Sequence, residues 1–344
     1  MRVLSLFDGI SCGQVALDQL GIPVEVYFAS EIDKYAIQIA QKNYPATIQM
    51  GDVKNLCYES LGKIDLLMGG SPCQGFSFAG KQLNFNDHRS KLFFEFVKAL
   101  KALKPKYFLL ENVKMKQEFQ DVISEQLGVQ PIEINSALVS AQNRKRLYWT
   151  NIPVKIPEDR HILLKNIVHE NADGFAYNRK EKLKYPLEKA HALLASFGRS
   201  GLNRNQDQTV IVEGLQNFVV PIDEKLHIID KPISKGKMGW FRQDSQANRV
   251  YYLDSKAITL CGEAGGGAAK MGQYLFGDIV NNGSKFEIKG YIRKLTPVEC
   301  ERLQTLPDNY TEGVSNAQRY KCLGNGWTVE VIKHILKEME IEKW

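Results

Sequence analysis

Three sets of residues in this 344-residue chain have the types and spacing for chemistry. The first is Cys73, which follows the apolar run Leu66-Leu67-Met68 and the breakers Gly69, Gly70, Ser71 and Pro72. Pro72 fixes its own φ and restricts Ser71, so the chain enters Cys73 with little freedom, and Gly75 permits close backbone approach. A thiol so placed is either a nucleophile or, as is commoner for an unpaired cysteine, a small buried hydrophobe. The second set is the acids Glu31, Asp52 and Glu111, each just past a short apolar segment. The third is Gln142-Asn143-Arg144-Lys145-Arg146, whose three successive cations are either a solvated charge run or a clamp on a phosphate or electrophilic carbonyl.

These positions cohere if the apolar segments are strands of one sheet. Residues 3–7, 24–29, 48–50, 66–68 and 107–110 are short apolar runs without regular polar alternation, as in parallel strands buried on both faces. Between them, 14–20, 33–44 and 91–103 repeat apolar residues at helical spacing, with Asp33 as a candidate N-cap. Ligands of open α/β sheets bind outside the carboxyl ends of the strands, and Glu31, Asp52, Cys73 and Glu111 all fall at that edge. The turn Asp8-Gly9-Ile10-Ser11-Cys12-Gly13 after the first strand, with an acid after the second, matches the way Rossmann-like folds hold a nucleoside. Glu31 would take the ribose hydroxyls and Asp52 an exocyclic amine; a solvated loop acid is the competing reading of Glu31. Cys73 with Glu111 reads as a nucleophile beside a group that can stay protonated in an apolar pocket. Residues 79–90 are polar and turn-rich, a lid or a plain connection. Residues 132–135 and 147–150 read as late strands in a hairpin.

Beyond residue 151 the strand–helix alternation gives way to a stretch rich in Gly, Asn, Gln, Lys and Arg, with short β-like pieces at 218–222, 251–253 and 286–288. This reads as a second domain whose loops touch an extended polar partner. Regularity returns at Arg293, where Thr296, Pro297 and Glu299 spell a capped helix start. Gly324-Asn325-Gly326-Trp327 reads as a turn opening a last helix over 329–339. The expected organisation is therefore a catalytic domain of residues 1–150, an insertion of 151–290 and a return segment of 291–344. Lys and Arg exceed Asp and Glu by 45 − 39 = 6, an excess that permits a nucleic-acid partner without demanding one. The six cysteines are scattered with no C-x-x-C, so a zinc ribbon or disulfide framework lacks support and no metal is expected. No stretch has the length of a membrane span, and the N-terminal apolar run stops at Asp8, so the expectation is a soluble cytoplasmic protein.

In order along the chain, Leu6-Phe7-Asp8-Gly9, Ser71-Pro72-Cys73-Gln74, Glu111-Asn112-Val113, Gln142 to Arg146, Arg293-Lys294-Leu295-Thr296-Pro297 and Gly324-Asn325-Gly326 resemble the motifs of the DNA cytosine-C5 methyltransferases of bacteria and phages. The resemblance implies an α/β class I (Rossmann-like) methyltransferase fold, with a mostly parallel sheet and helices on both faces. It also implies a smaller, irregular β-rich target-recognition domain at 151–290. The cofactor it implies is S-adenosylmethionine. The residues it places around that cofactor are Phe7, Asp8, Gly9, Ile10, Ser11, Glu31, Ile32, Asp52, Val53, Ser71, Pro72, Leu92, Asn325, Gly326 and Trp327. Cys73 would add to C6 of a flipped-out cytosine, with Gln74 beside it in the motif. Glu111 would contact N3 and the exocyclic amine, Arg144 and Arg146 would hold Glu111 and the base O2, and Asn112 would tether the Pro72–Cys73 loop. The partner is double-stranded DNA, with a cognate restriction endonuclease a further partner for members of restriction–modification pairs, and the expected state is a monomer. Expected DNA contacts are Arg89 and, in loops 198–205 and 263–273, Arg199, Asn203, Arg204, Lys270 and Gln273. Two departures stand out: Ser11 replaces the second glycine of F-x-G-x-G, and Trp327 replaces a small residue.

Three other readings compete. An RNA cytosine methyltransferase on the same scaffold would carry a Cys-Phe-Thr element that this chain lacks. A silent DNA-binding homologue does not need Cys73, Glu111 and Arg144. A nicotinamide-dependent dehydrogenase accounts only for the N-terminal β-turn-α-β.

Overall fold

The computed structural model describes residues 1–71, 92–168, 175–178, 183–186, 208–210, 219–220, 226–233, 237–241, 249–257, 259–260, 273–281, 286–293 and 295–340. Its centre is a seven-stranded sheet of β1 (Arg2–Leu6), β2 (Val26–Ser30), β3 (Ile48–Gln49), β4 (Leu66–Gly69), β5 (Tyr107–Val113), β6 (Ile132–Asn135) and β7 (Lys145–Thr150). The order is β3-β2-β1-β4-β5-β7-β6. Strands β1 to β5 pair in parallel, and β7 runs antiparallel to both of its neighbours. The order reverses between β1 and β4, the kind of switch point beside which open α/β sheets bind their ligands.

Alternation along the strands builds two cores. Val3, Leu66, Met68, Leu109 and Tyr148 face one side and pack with α1 (Cys12–Gln19), through Val15, Ala16 and Leu17, and with buried residues of the C-terminal helices. Leu4, Leu6, Leu67, Phe108, Leu110, Leu147 and Trp149 face the other and pack with Phe93 and Phe96 of α3 (Leu92–Leu103) and Phe119 and Ile123 of α4 (Gln117–Leu127). The remaining helices are α2 (Lys34–Asn43), α5 (Pro297–Leu303), α6 (Asn316–Asn325) and α7 (Val329–Leu336), and α7 lies against α1. Asp33 caps α2 as expected, accepting from the Tyr35 amide at 2.9 Å.

Local sequence left four features unread. Helix α4 buries Phe119, Ile123 and Leu127 at intervals of four and ends at Gly128, whose φ of +71° suits glycine. Helix α6 occupies a polar stretch, and Gly324 and Asn325 close it rather than open α7. Strand β5 continues through Glu111, Asn112 and Val113 where a loop was expected, because β7 pairs with it there. Strand β7 likewise starts at Lys145, two residues before the expected 147.

Beyond residue 168 the described backbone forms two further sheets. One is three-stranded, β10-β8-β9, from β8 (Phe175–Asn178), β9 (Leu183–Pro186) and β10 (Gln208–Val210). The other is six-stranded, β11-β16-β15-β14-β13-β12, from β11 (Val219–Val220), β12 (Leu226–Ile233), β13 (Lys237–Phe241), β14 (Arg249–Tyr252), β15 (Gln273–Asn281) and β16 (Phe286–Arg293). Tyr251, Ala257, Leu260 and Tyr274 from this region join the first core of the central sheet. Among the described residues no helix is long and apolar enough to cross a membrane.

The start of α5 is fixed by a capping box: the Glu299 amide donates to Thr296 Oγ1 at 3.2 Å, and the Thr296 amide donates to Glu299 Oε2 at 2.7 Å. Thr296→Ala should cost about 1–2 kcal/mol of stability, as loss of an N-cap does, measured by urea denaturation. A variant as stable as the parent would show that the cap contributes nothing to the return of the chain onto the sheet.

Candidate active site

The site is built outward from the end of β5. Glu111 lies opposite Tyr148 and Val113 opposite Arg146, so the Glu111 and Arg146 side chains meet diagonally on one face of the ladder. Arg146 Nε lies 2.9 Å from Glu111 Oε1, with side chains 13% and 11% exposed. The Trp327 indole N–H donates to Glu111 Oε2 at 3.1 Å. One carboxylate oxygen thus pairs with a cation and the other has a donor, as a nearly buried acid requires. Burial beside Glu111 pushes the Tyr148 hydroxyl well above its ordinary range. On the opposite face, Asn112 Nδ2 donates to Ser71 Oγ at 3.0 Å and to Ser71 O at 3.4 Å, while its Oδ1 accepts from the Val113 amide at 2.8 Å. Asn112 and Ser71 are both buried, and Ser71 is the last described residue before Pro72 and Cys73.

Arg144 goes elsewhere. The expectation put it with Arg146 on Glu111 and the base, but its buried guanidinium donates to the carbonyls of Leu260 (3.1 Å), Gly324 (3.1 Å) and Gly326 (2.9 Å). It clamps the turn that carries Trp327. Gln304, which sequence reasoning missed, reinforces the clamp: its Nε2 donates to Leu323 O at 2.7 Å, and its Oε1 accepts from Thr328 Oγ1 at 2.9 Å. No local motif marks this glutamine.

The second half of the site lies beyond β1, β2 and β3. Phe7, Gly9 and Ser11 all have φ near +60°, so the chain after β1 turns through three left-handed residues. Ser11 stands where the family pattern has glycine, and the conformation shows why glycine is usual there; a side chain costs roughly 1–2 kcal/mol. Its hydroxyl recovers part of that by donating to Asp8, whose other oxygen accepts from Tyr27 Oη at 2.8 Å. Asp8 as a residue is partly exposed, but its carboxyl is enclosed, and desolvation pushes it from 3.8 up to about 6 against those two hydroxyls. Glu31 Oε2 accepts from the Gly9 amide at 2.8 Å, and Oε1 from the Ile32 (2.7 Å) and Asp33 (2.8 Å) amides. Asp52 accepts from the Lys54 amide at 3.0 Å. Val53 and Ile10 are buried, and Tyr310 Oη donates to Ile10 O at 2.7 Å. Leu92 begins α3 and packs on the second core.

This edge fits S-adenosylmethionine. Among the described residues a Cβ added to Gly9 or Gly51 would meet nothing within 4 Å, so they leave the backbone beside Glu31 and Asp52 open to a ligand. Ile32 leaves a large apolar side chain 74% exposed beside those acids, the surface that a purine face would cover.

Pro72, Cys73, Gln74, Arg89, Arg199, Asn203, Arg204 and Lys270 lie outside the described residues, as does the 79–90 segment. Gln273 is the first residue of β15. Among the rest, Glu111, Asn112, Arg146 and Trp327 come together at the end of β5. Residues 7–11 and Glu31 gather around one turn beside β1 and β2, with Ile32 next in the chain and Asp52 and Val53 following β3.

A sheet ordered β3-β2-β1-β4-β5-β7-β6 with its seventh strand reversed, a tight turn after β1 and acids after β2 and β3 defines a class I methyltransferase. The family model for C-5 cytosine-specific DNA methylase matches residues 1–341, and the chain belongs to that family. It is a DNA cytosine-C5 methyltransferase with S-adenosylmethionine as methyl donor. The orphan methyltransferase M.SPRI of Bacillus phage SPR is 27% identical, covering 98% of this chain and 97% of that one. The type II methyltransferase M.HhaI of Haemophilus parahaemolyticus is 27% identical over 97% and 93%. The Entamoeba histolytica methyltransferase EhMeth shares the fold with a TM-score of 0.64, 16% identity and 98% and 97% coverage.

The raised Asp8 carboxyl gives a pH signature. Between about pH 4 and pH 6 the folded state holds a proton that the unfolded chain has released, so Asp8 lowers stability as pH rises through that window. The full penalty, at most about 3 kcal/mol, is present at pH 7. Thermal denaturation should therefore show Asp8→Asn gaining stability relative to the parent between pH 4 and pH 7, and a difference that does not change with pH would contradict the assignment.

Proposed function

We propose that the chain methylates a cytosine flipped out of duplex DNA through a covalent Cys73 adduct. The observation that carries this is the Glu111–Arg146 pair at the end of β5, next to Asn112, which holds the residue preceding the Pro72–Cys73 step. Cytosine C5 is a poor nucleophile. Addition of the Cys73 thiolate to C6 makes C5 part of an enamine, and the electron pair can then attack an electrophilic methyl. S-adenosylmethionine supplies that methyl as a sulfonium substituent. Glu111 faces N3 and the exocyclic amine, and its negative charge favours the uptake of a solvent proton at N3 as the adduct forms. Arg146 pairs with Glu111 and compensates its charge in a desolvated site. Arg144 acts through the Gly324–Gly326 backbone rather than on the base. A base or water then removes H5, the C6–S bond breaks to release the Cys73 thiolate, and N3 gives up its proton as aromaticity returns.

On the cofactor side, Glu31 would accept the ribose hydroxyls and Asp52 the adenine amine, with Ile32 and Val53 flanking the purine. Gly9 and Ser11 supply backbone to the amino-acid end, and Asp8 holds that turn. The target atom is hidden in a stacked duplex, so the base must leave the helix before Cys73 can reach it. Sequence choice is assigned to the 151–290 region, with Arg199, Arg204 and Gln273 as base readers and phosphate contacts setting the salt dependence.

Duplex DNA carrying 5-fluorocytosine tests the mechanism, since fluorine blocks the final elimination. The parent should form a denaturation-resistant adduct with it, whereas Cys73→Ala should form none, transfer no methyl groups and still bind duplex, because binding rests on other contacts. Methyl transfer by Cys73→Ala would overturn the covalent route.

A further inference from the structure

Trp327 departs from the small residue usual at its position, and its surroundings are shaped to the indole. A Cβ at Gly70 would lie 2.9 Å from Trp327 Nε1, 3.3 Å from its Cε2 and 3.2 Å from Glu111 Oε2. A Cβ at Gly13 would lie 3.4 Å from Trp327 Cζ3. The ring therefore lies close to two glycines, one in α1 and one just after β4, and is itself buried. The turn that carries it is fixed independently. Arg144 holds the Gly324 and Gly326 carbonyls, Gln304 holds Leu323, and Thr328 bonds to Gln304 and to Ser136 Oγ at 2.9 Å. From that fixed base the indole N–H reaches the second carboxylate oxygen, Oε2, while Arg146 lies against Oε1.

We propose that Trp327 is a positioning residue for Glu111, its indole N–H holding Oε2 so that the carboxylate is locked between the Arg146 ion pair and this donor before the base arrives. The inference rests on the reading of Glu111 as the group that faces the target base. A carboxylate held by Arg146 alone can still rotate about its terminal torsion, which is broad and roughly two-fold. A donor from a different part of the chain removes that freedom, and pre-orientation of this kind lowers barriers without adding a contact to substrate. Phenylalanine would fill most of the same space and leave Oε2 without its donor.

The experiment uses the full chain and four proteins: parent, Trp327→Phe, Glu111→Gln and the double variant. Methyl transfer from labelled S-adenosylmethionine to genomic DNA is followed, with cofactor affinity from calorimetry. Trp327→Phe should lower kcat about 10-fold, the worth of one hydrogen bond to a charged acceptor, with cofactor Kd within about 2-fold of the parent. In the Glu111→Gln background the same change should have less than about a 2-fold effect, because the bonded carboxylate is already gone. Equal losses on both backgrounds, or a loss confined to cofactor affinity, would overturn the proposal while leaving Glu111 in its role. Full activity in Glu111→Gln would instead overturn the reading of Glu111 and the proposal with it. Should Glu111→Gln be too slow to assay, tryptophan-labelled NMR decides. The chain has four tryptophans, and the indole N–H resonance missing from Trp327→Phe must shift in Glu111→Gln. An unmoved resonance would show that no such bond exists.

Discussion

Strand β5 has neighbours of opposite direction, and the site depends on that. Its parallel pairing with β4 ends at Leu110 opposite Gly69, yet antiparallel pairing with β7 continues through Val113. Glu111, Asn112 and Val113 therefore stand past the end of the parallel sheet while still held as strand, not loop. The reversed β7 also returns Arg146 to the same edge. A buried carboxylate is tolerable only with its charge compensated, and the register that extends the strand brings Arg146 to it. Asn112, one residue on, points the opposite way and bonds Ser71, so two functions leave opposite faces of one short segment.

The cofactor edge is held from a distance. Glu31 joins the turn after β1 to the start of α2, and Asp33, the N-cap of α2, receives Lys321 Nζ from α6 at 2.6 Å. Tyr310 reaches Ile10, and Asn43 Nδ2 reaches Tyr310 O at 3.0 Å. The last fifty residues thus act as a brace across the N-terminal βαβ unit. The helix that follows the Trp327 turn lies on α1, so the brace and Glu111 share one support.

How far the chain could be read from its residues follows from how local each signal is. The five parallel strands were legible because Leu66-Leu67-Met68 and its counterparts are short apolar runs ended by breakers, and the Thr296 box because its partners are three residues apart. The true end of β5 was not legible, since Glu-Asn looks like loop until β7 is placed beside it. Helix α6 was hidden in a polar stretch whose Lys321 and Arg319 are satisfied by Asp33 and Glu301, acids from other elements. Arg144 and Trp327 were singled out in the sequence, but their partners lie 180 and 216 residues away, and no motif spacing announces such contacts.

The central claim is that this sheet edge methylates cytosine C5 in DNA through the Glu111–Arg146 pair. Bisulfite sequencing of DNA from cells expressing the protein tests it most directly. The parent should leave conversion-resistant cytosines recurring in one short sequence context, and Arg146→Ala, which strips Glu111 of its ion pair, should reduce them to the level of cells without the protein. Absence of resistant cytosines with the parent, or an undiminished pattern with Arg146→Ala, would contradict the account.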